Sequence, residues 1–143
     1  MENISMLPII QKIPLFADLT ADQHQSIINA IVLNYYPVGH VFFNEGDAVD
    51  ENSYMYIIKH GMVKISRKDD FQHEKEVAVL ADNEFFGEMA FVLNEPRNAM
   101  ATVIEDCEVF ELKKQTFTTL METTPGGAAK ISEEFIRRLK ENG

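Results

Sequence analysis

The strongest constraint on this chain is the rhythm of residues 32–113. Seven short segments there, VLNYYP, HVFFN, YMYIIK, MVKIS, EVAVL, ATVI and CEVFEL, are apolar or alternate apolar with polar residues. Successive side chains of a strand point to opposite faces, so this patterning suits strands buried on one or both sides. Turn residues separate the segments: Pro37-Val38-Gly39, Gly46-Asp47, His60-Gly61 and Asp82-Asn83. Many short strands at close, even spacing predict an α+β, mainly β chain folded as a double-stranded β-helix, the jelly-roll barrel. YIIKHGMVKIS reads as two strands meeting at Gly61, and RKDDFQHEKE as a charged, solvated hairpin tip.

Helical patterns flank this core. Thr20 is placed to cap TADQHQSIINAIV, with Asp22 in its first turn and Ile27, Ile28 and Ile31 on its buried face. KQTFTTLMETT carries Phe117, Leu120 and Met121 at helical spacing, and Pro125-Gly126-Gly127 then breaks the pattern. AAKISEEFIRRLKEN puts Ile131, Phe135 and Leu139 on one stripe, supported by Glu133–Arg137 and Glu134–Arg138 pairs. That stripe can dock on its own domain, pack against a second copy as a homodimer, or close over a ligand. The chain is therefore expected to be one domain, 1–143, with N-terminal helices in 1–31, a barrel in 32–113 and C-terminal helices in 114–143.

A chain of 143 residues buries a single core without disulfide staples. Its formal net charge of −10 argues against direct nucleic-acid binding, which needs a basic face for the phosphates. Cys107 is the sole cysteine, lies in an alternating stretch and reads as a buried filler. His24, His40, His60 and His73 are isolated and show no metal-ligand spacing, so no metal site is expected. MENISMLPIIQKIPLF has neither a basic head nor a long apolar run, so no membrane span is expected and a cytoplasmic location is the default.

One stretch breaks the strand pattern. FFGEMAFVLNEPRNA, residues 85–99, is too short for a regular helix and too apolar for a free loop, and reads as one or two helical turns between strands. Gly87 allows close backbone approach. The amides of a first helical turn lack partners within the helix and favour anions. Glu88 can accept hydrogen bonds from hydroxyls, and Arg97 can fork two donors onto phosphate oxygens. Pro96 stiffens the approach to Arg97, while Asn98 and Ala99 are small. Such parts fit a ligand carrying a phosphate and a sugar hydroxyl. They also fit a salt bridge between Glu88 and Arg97 that simply closes an inserted loop. No nucleophile is paired with a base, so the stretch reads as a binding site and the chain as no enzyme.

Phe86, Gly87, Glu88, Met89, Ala90, Pro96, Arg97 and Ala99 resemble the phosphate-binding cassette of the cyclic nucleotide-binding domain family. The resemblance extends over IPLFADLTADQ, YYPVGHVFFNEGD, YMYIIKHGMVKIS and DCEVFELKKQTFTTLME. It implies that Glu88 accepts the ribose 2′-hydroxyl and that Arg97 neutralises the cyclic phosphate. Amides around Gly87 and Asn98-Ala99 would complete the cradle, and the final helix, with Ile131 and Phe135, would cover the purine. Val63 and Ile65 are candidate floor residues by their strand alone. The sequence departs from the common pattern at Asn98 and at Met100, where many members carry Ser or Thr. The implied ligand is a cyclic nucleotide, cyclic AMP ahead of cyclic GMP. With no helix-turn-helix, kinase or channel pattern in the sequence, a second copy, an unknown effector protein or a further segment of a longer chain is expected to read the signal. Two other readings stand beside this one. The first is a domain of the same fold that has lost its ligand and serves protein interaction. The second is a metal-dependent enzyme on a similar barrel, which would need clustered histidines.

Overall fold

The structure is a computed structural model, which describes residues 19–87 and 95–123 without a break, and Pro8, Ile10, Gln11, Phe16 and Ala17 besides. Helix α1 (Ala21–Ala30) starts where expected. Thr20 accepts from the Gln23 amide, and the Gln23 side chain accepts from the Thr20 amide, so two otherwise orphaned donors are satisfied together. Ile31 is the C-cap, already extended, rather than a member of the helix.

The strands are β1 (Val32–Tyr36), β2 (Val41–Phe43), β3 (Tyr54–Lys68), β4 (Glu74–Leu80), β5 (Phe85–Phe86) and β6 (Met100–Lys113), followed by helix α2 (Lys114–Thr123). All pair antiparallel. The long strands β3 and β6 run beside each other from Tyr54↔Lys113 to Ser66↔Met100. The short strands attach to one half or the other. β5 pairs the first half of β3 and β1 the last half of β6; β4 pairs the second half of β3 and β2 the start of β6.

The expected break at Gly61 is therefore a bend within one strand, and ATVI and CEVFEL likewise belong to one strand. The register slips between Ile58 and Val63, which turns the strand pair without ending it. Gly61 sits at φ +119°, and a Cβ there would lie 2.5 Å from the Asp106 carbonyl oxygen and 2.6 Å from Cys107 Sγ. Only glycine fits such a place, by backbone angle and by space.

The bend folds one ladder into two layers. Tyr56, Ile58 and Val109 from one half meet Val63, Ala101 and Val103 from the other in a shared interior, joined by Phe86 and Cys107. The opposite face of the first half carries Met55, Ile57, Phe110 and Leu112, which pack on Ile27 and Ile28 of α1, Phe117 and Leu120 of α2, and Phe16. Hence β3 is apolar on both faces where helices cover it, as layered folds require, and β6 nearly so, with the buried Glu111 as an exception. Beyond the bend, alternation returns and Val77, Val79 and Ile104 face solvent. Cys107 is a buried filler, as expected. His24 is buried and donates to the Phe16 carbonyl at 2.6 Å, a structural role. The charged tip of the β3–β4 hairpin is exposed as expected.

Candidate functional site

The two ends of the cassette converge on the barrel beside the end of β2. Phe86, in β5, is buried, and its ring stacks on Tyr56 at 5.0 Å between centroids. Gly87 follows at φ +87°, and a Cβ there would lie 3.0 Å from Arg97 Nη1. A side chain at position 87 would thus push on the guanidinium itself. Pro96 and Asn98 are exposed, and Ala99 is buried just before β6 begins.

Arg97 is only 6% exposed. Its main chain is held from both sides by the turn after β2: its amide donates to the Asp47 carbonyl at 2.8 Å, and its carbonyl accepts from the Gly46 amide at 2.7 Å. Its side chain reaches inward. Nη1 donates to the Gly87 carbonyl and Nη2 to the Tyr54 carbonyl, both at 2.8 Å. The Phe43 ring lies 4.1 Å from Cζ, a cation–π contact. These three contacts fix the guanidinium between β2, β3 and the end of β5.

Behind the arginine lies a polar-edged aromatic interior. Tyr36 stacks on His40, and Phe42 meets Tyr36, Tyr56 and Phe86. Glu111, also buried, accepts from the Tyr36 hydroxyl at 3.0 Å and from the Asn34 side-chain amide. Burial, and then the hydrogen bond to Glu111, push the Tyr36 hydroxyl up from 10.0 to about 12. Burial and then Glu111 raise Tyr56 as well, while Arg97 acts in the opposite direction. Both phenols hold their protons to higher pH folded than unfolded. The stability this brings is complete below the unfolded value of 10.0 and is lost as pH rises towards about 12. Melting temperatures should fall across that window, and Tyr36→Phe should flatten the fall. Equal slopes in both proteins would show that Tyr36 does not titrate this way.

Val63 is fully buried and Ile65 packs beside it in the interior cluster. Glu88, Met89, Ala90, the Met121 side chain and the C-terminal stripe with Ile131 and Phe135 lie outside the described residues. So does the choice between a Glu88–Arg97 pair and a shared ligand. Sequence reasoning missed Phe43, the Tyr54 carbonyl and the Gly46–Asp47 turn as neighbours of Arg97. Among the described residues, no group of three His, Cys, Asp or Glu side chains could hold a metal ion. No helix among them is long and apolar enough to cross a membrane.

The chain belongs to the cyclic nucleotide-binding domain family, whose sequence model matches residues 33–124, well over half its length. It is 30% identical over 140 residues to the potassium channel KOR1 of Oryza sativa subsp. japonica, covering 94% of this chain and 16% of the channel. It is 28% identical over 128 residues to the cyclic AMP receptor protein of Thermus thermophilus, covering 90% of this chain and 58% of the receptor. Among solved structures, the regulatory domain of Toxoplasma gondii PKA with cAMP superposes with a TM-score of 0.78 at 26% identity, over 83% of this chain and 44% of that one. The jelly-roll architecture is the one these relatives share. The chain thus spans from about a sixth to somewhat over half of the curated relatives named here.

Proposed function

We propose that this cyclic nucleotide-binding domain binds cyclic AMP in preference to cyclic GMP and works as a regulatory sensor in the cytoplasm. It does so as one domain over 1–143, by binding rather than catalysis and without binding nucleic acid. The observation that carries this reading is Arg97. A guanidinium is kept nearly dry at the cassette's end, hydrogen-bonded to two backbone carbonyls, next to a glycine that leaves room for it. A cyclic phosphate has the charge and the two exocyclic oxygens that a forked guanidinium can receive. In this reading Glu88 takes the ribose hydroxyl, and backbone amides of Gly87, Met89, Ala90, Asn98 and Ala99 close around the phosphate. Val63 and Ile65 line the floor, and Ile131 and Phe135 of the final helix cover the base. Response then passes to a second copy through that helix, or to an effector protein. Binding informs either one only by favouring one arrangement over another.

A second reading has one observation behind it. Two backbone carbonyls already receive Arg97, so the arginine can serve as a strut in a domain that binds partners and no nucleotide. Calorimetric titration with cyclic AMP, cyclic GMP and 5′-AMP separates the two. Saturable binding of cyclic AMP, tighter than cyclic GMP and absent for 5′-AMP, is expected. At a ligand concentration about 100-fold above the dissociation constant, binding should add about 2.7 kcal/mol of stability. No heat and no thermal shift with any of them would leave the strut.

A further inference from the structure

We propose that the outer face of the barrel carries a second ligand site, between the turn after β2 and the β3–β4 hairpin, and that it takes a small oxyanion, a carboxylate or phosphate group. Ile65 and Ala101 pack into the barrel interior, so Ser66 and Met100, their neighbours along β3 and β6, face outwards. There they line a cavity of about 320 Å³ together with Glu45, Arg67, Lys68 and Glu74. That is room for far more than one water, whose share of the liquid is about 30 Å³. None of these residues belongs to the cassette.

What the cavity lacks is an acceptor. Ser66 is only 1% exposed, and its Oγ has no hydrogen-bond partner among the described residues. Arg67 Nε is buried without a partner there too. An Nε–H can only donate and a hydroxyl can donate, so one acceptor group serves both. A buried donor left without a partner costs stability, which a bound acceptor recovers. The two carboxylates of the lining are already engaged. Glu45 accepts from the Lys68 amide at 2.9 Å, and Glu74 pairs with Lys64 Nζ at 2.8 Å. Ser66 stands near enough to Glu74 to help Lys64 hold its carboxyl below the usual range, without completing a hydrogen bond. With Glu74 matched by Lys64, the charges left in the lining are Arg67 and Lys68 against Glu45. Excess donors and excess positive charge call for an oxyanion, and the planar guanidinium suits a carboxylate or a phosphate equally.

The test is an amide NMR titration of the whole chain, without nucleotide, using benzoate and inorganic phosphate, with benzamide and sodium chloride as controls. At least one of the two anions should shift the amides of Ser66, Arg67, Lys68 and Met100 saturably, with a dissociation constant of about 10 mM or tighter. The tighter of the two names the group. Benzamide has the shape of benzoate without its charge and should bind at least about tenfold more weakly than a saturating benzoate, while chloride at equal ionic strength should not saturate. Arg67→Met keeps the stem, removes the guanidinium and should weaken anion binding about tenfold or more. Glu74→Gln removes a like charge and should bind at least as tightly as the unaltered protein. A further readout needs no ligand. Ser66→Ala should hold or raise the melting temperature, because it deletes a buried hydroxyl that has no partner. A fall would show that Glu74 already satisfies Ser66 and would overturn that residue's part in the site. No saturable shift with either anion, benzamide binding as well as benzoate, or an Arg67→Met protein that binds as before would overturn the proposal. None of these results touches the reading of nucleotide binding at Arg97.

Discussion

Arg97→Ala is expected to weaken cyclic AMP binding by at least tenfold and to lower the melting temperature of the free protein as well. The first effect follows from the ligand reading. A hydrogen bond to a charged group contributes about 1.5–3 kcal/mol, or about 10- to 150-fold in affinity for each one lost. The phosphate would also be left partly uncompensated, so micromolar binding should disappear. The second effect follows from geometry that sequence reasoning did not supply. Removing the side chain takes a donor from the Gly87 and Tyr54 carbonyls. Each carbonyl left short of a partner away from water costs about 1–3 kcal/mol, offset by release of a buried charge. The fold should therefore survive, weakened. Arg97→Lys retains the charge and loses the fork, and should fall between. Calorimetry with unchanged affinity in a folded Arg97→Ala protein would remove the ligand role; a fall in melting temperature alone would favour the strut.

The largest loss of stability is expected from Gly61→Ala, far from the cassette. The new methyl carbon would meet the Asp106 carbonyl oxygen at 2.5 Å, Cys107 Sγ at 2.6 Å and Cys107 Cα at 2.8 Å. Two of those atoms are backbone of the neighbouring strand and cannot rotate away. A positive φ adds strain for any residue with a Cβ, about 1–3 kcal/mol. Overpacking adds about 1–3 kcal/mol more. Chemical denaturation should show a loss of about 3 kcal/mol or more. Adding Cys107→Ala relieves only the sulfur contact, so it should restore little. Full recovery in that double variant would mean that the sulfur, and not the strand backbone, forbids a side chain at the bend.

How much of this was written in the sequence differs from residue to residue. The start of α1 was legible because a cap is local: Thr20 and its helix are adjacent, although the reciprocal role of Gln23 was not read. Strands were legible by alternation, but their lengths were not. Gly61 reads as an ending, yet the Gly61 amide stays bonded to the Asp82 carboxylate and the ladder resumes beyond it. Glu105-Asp106 reads as a polar break between ATVI and CEVFEL, yet this exposed pair sits inside β6 where the strand crosses from one layer to the other. The closeness of Gly87 and Arg97 was legible because they lie ten residues apart. The groups that orient Arg97 were not, since Tyr54 is 43 residues away and is engaged through its main chain. Backbone carbonyls carry no residue signature, so no motif could announce that contact.

The placement of β6 has a consequence for synthesis on the ribosome. It is the strand shared by β1, β2 and β3, with partners as distant as Val32↔Glu111, and it emerges after all of them. β1 and β2 wait for their partner, and β3 with one edge open, until Lys113 has cleared the exit tunnel. Such distant pairings make closure slow compared with helical domains of equal size. The nascent chain therefore keeps open strand edges, the kind that holding chaperones cover, until β6 has emerged.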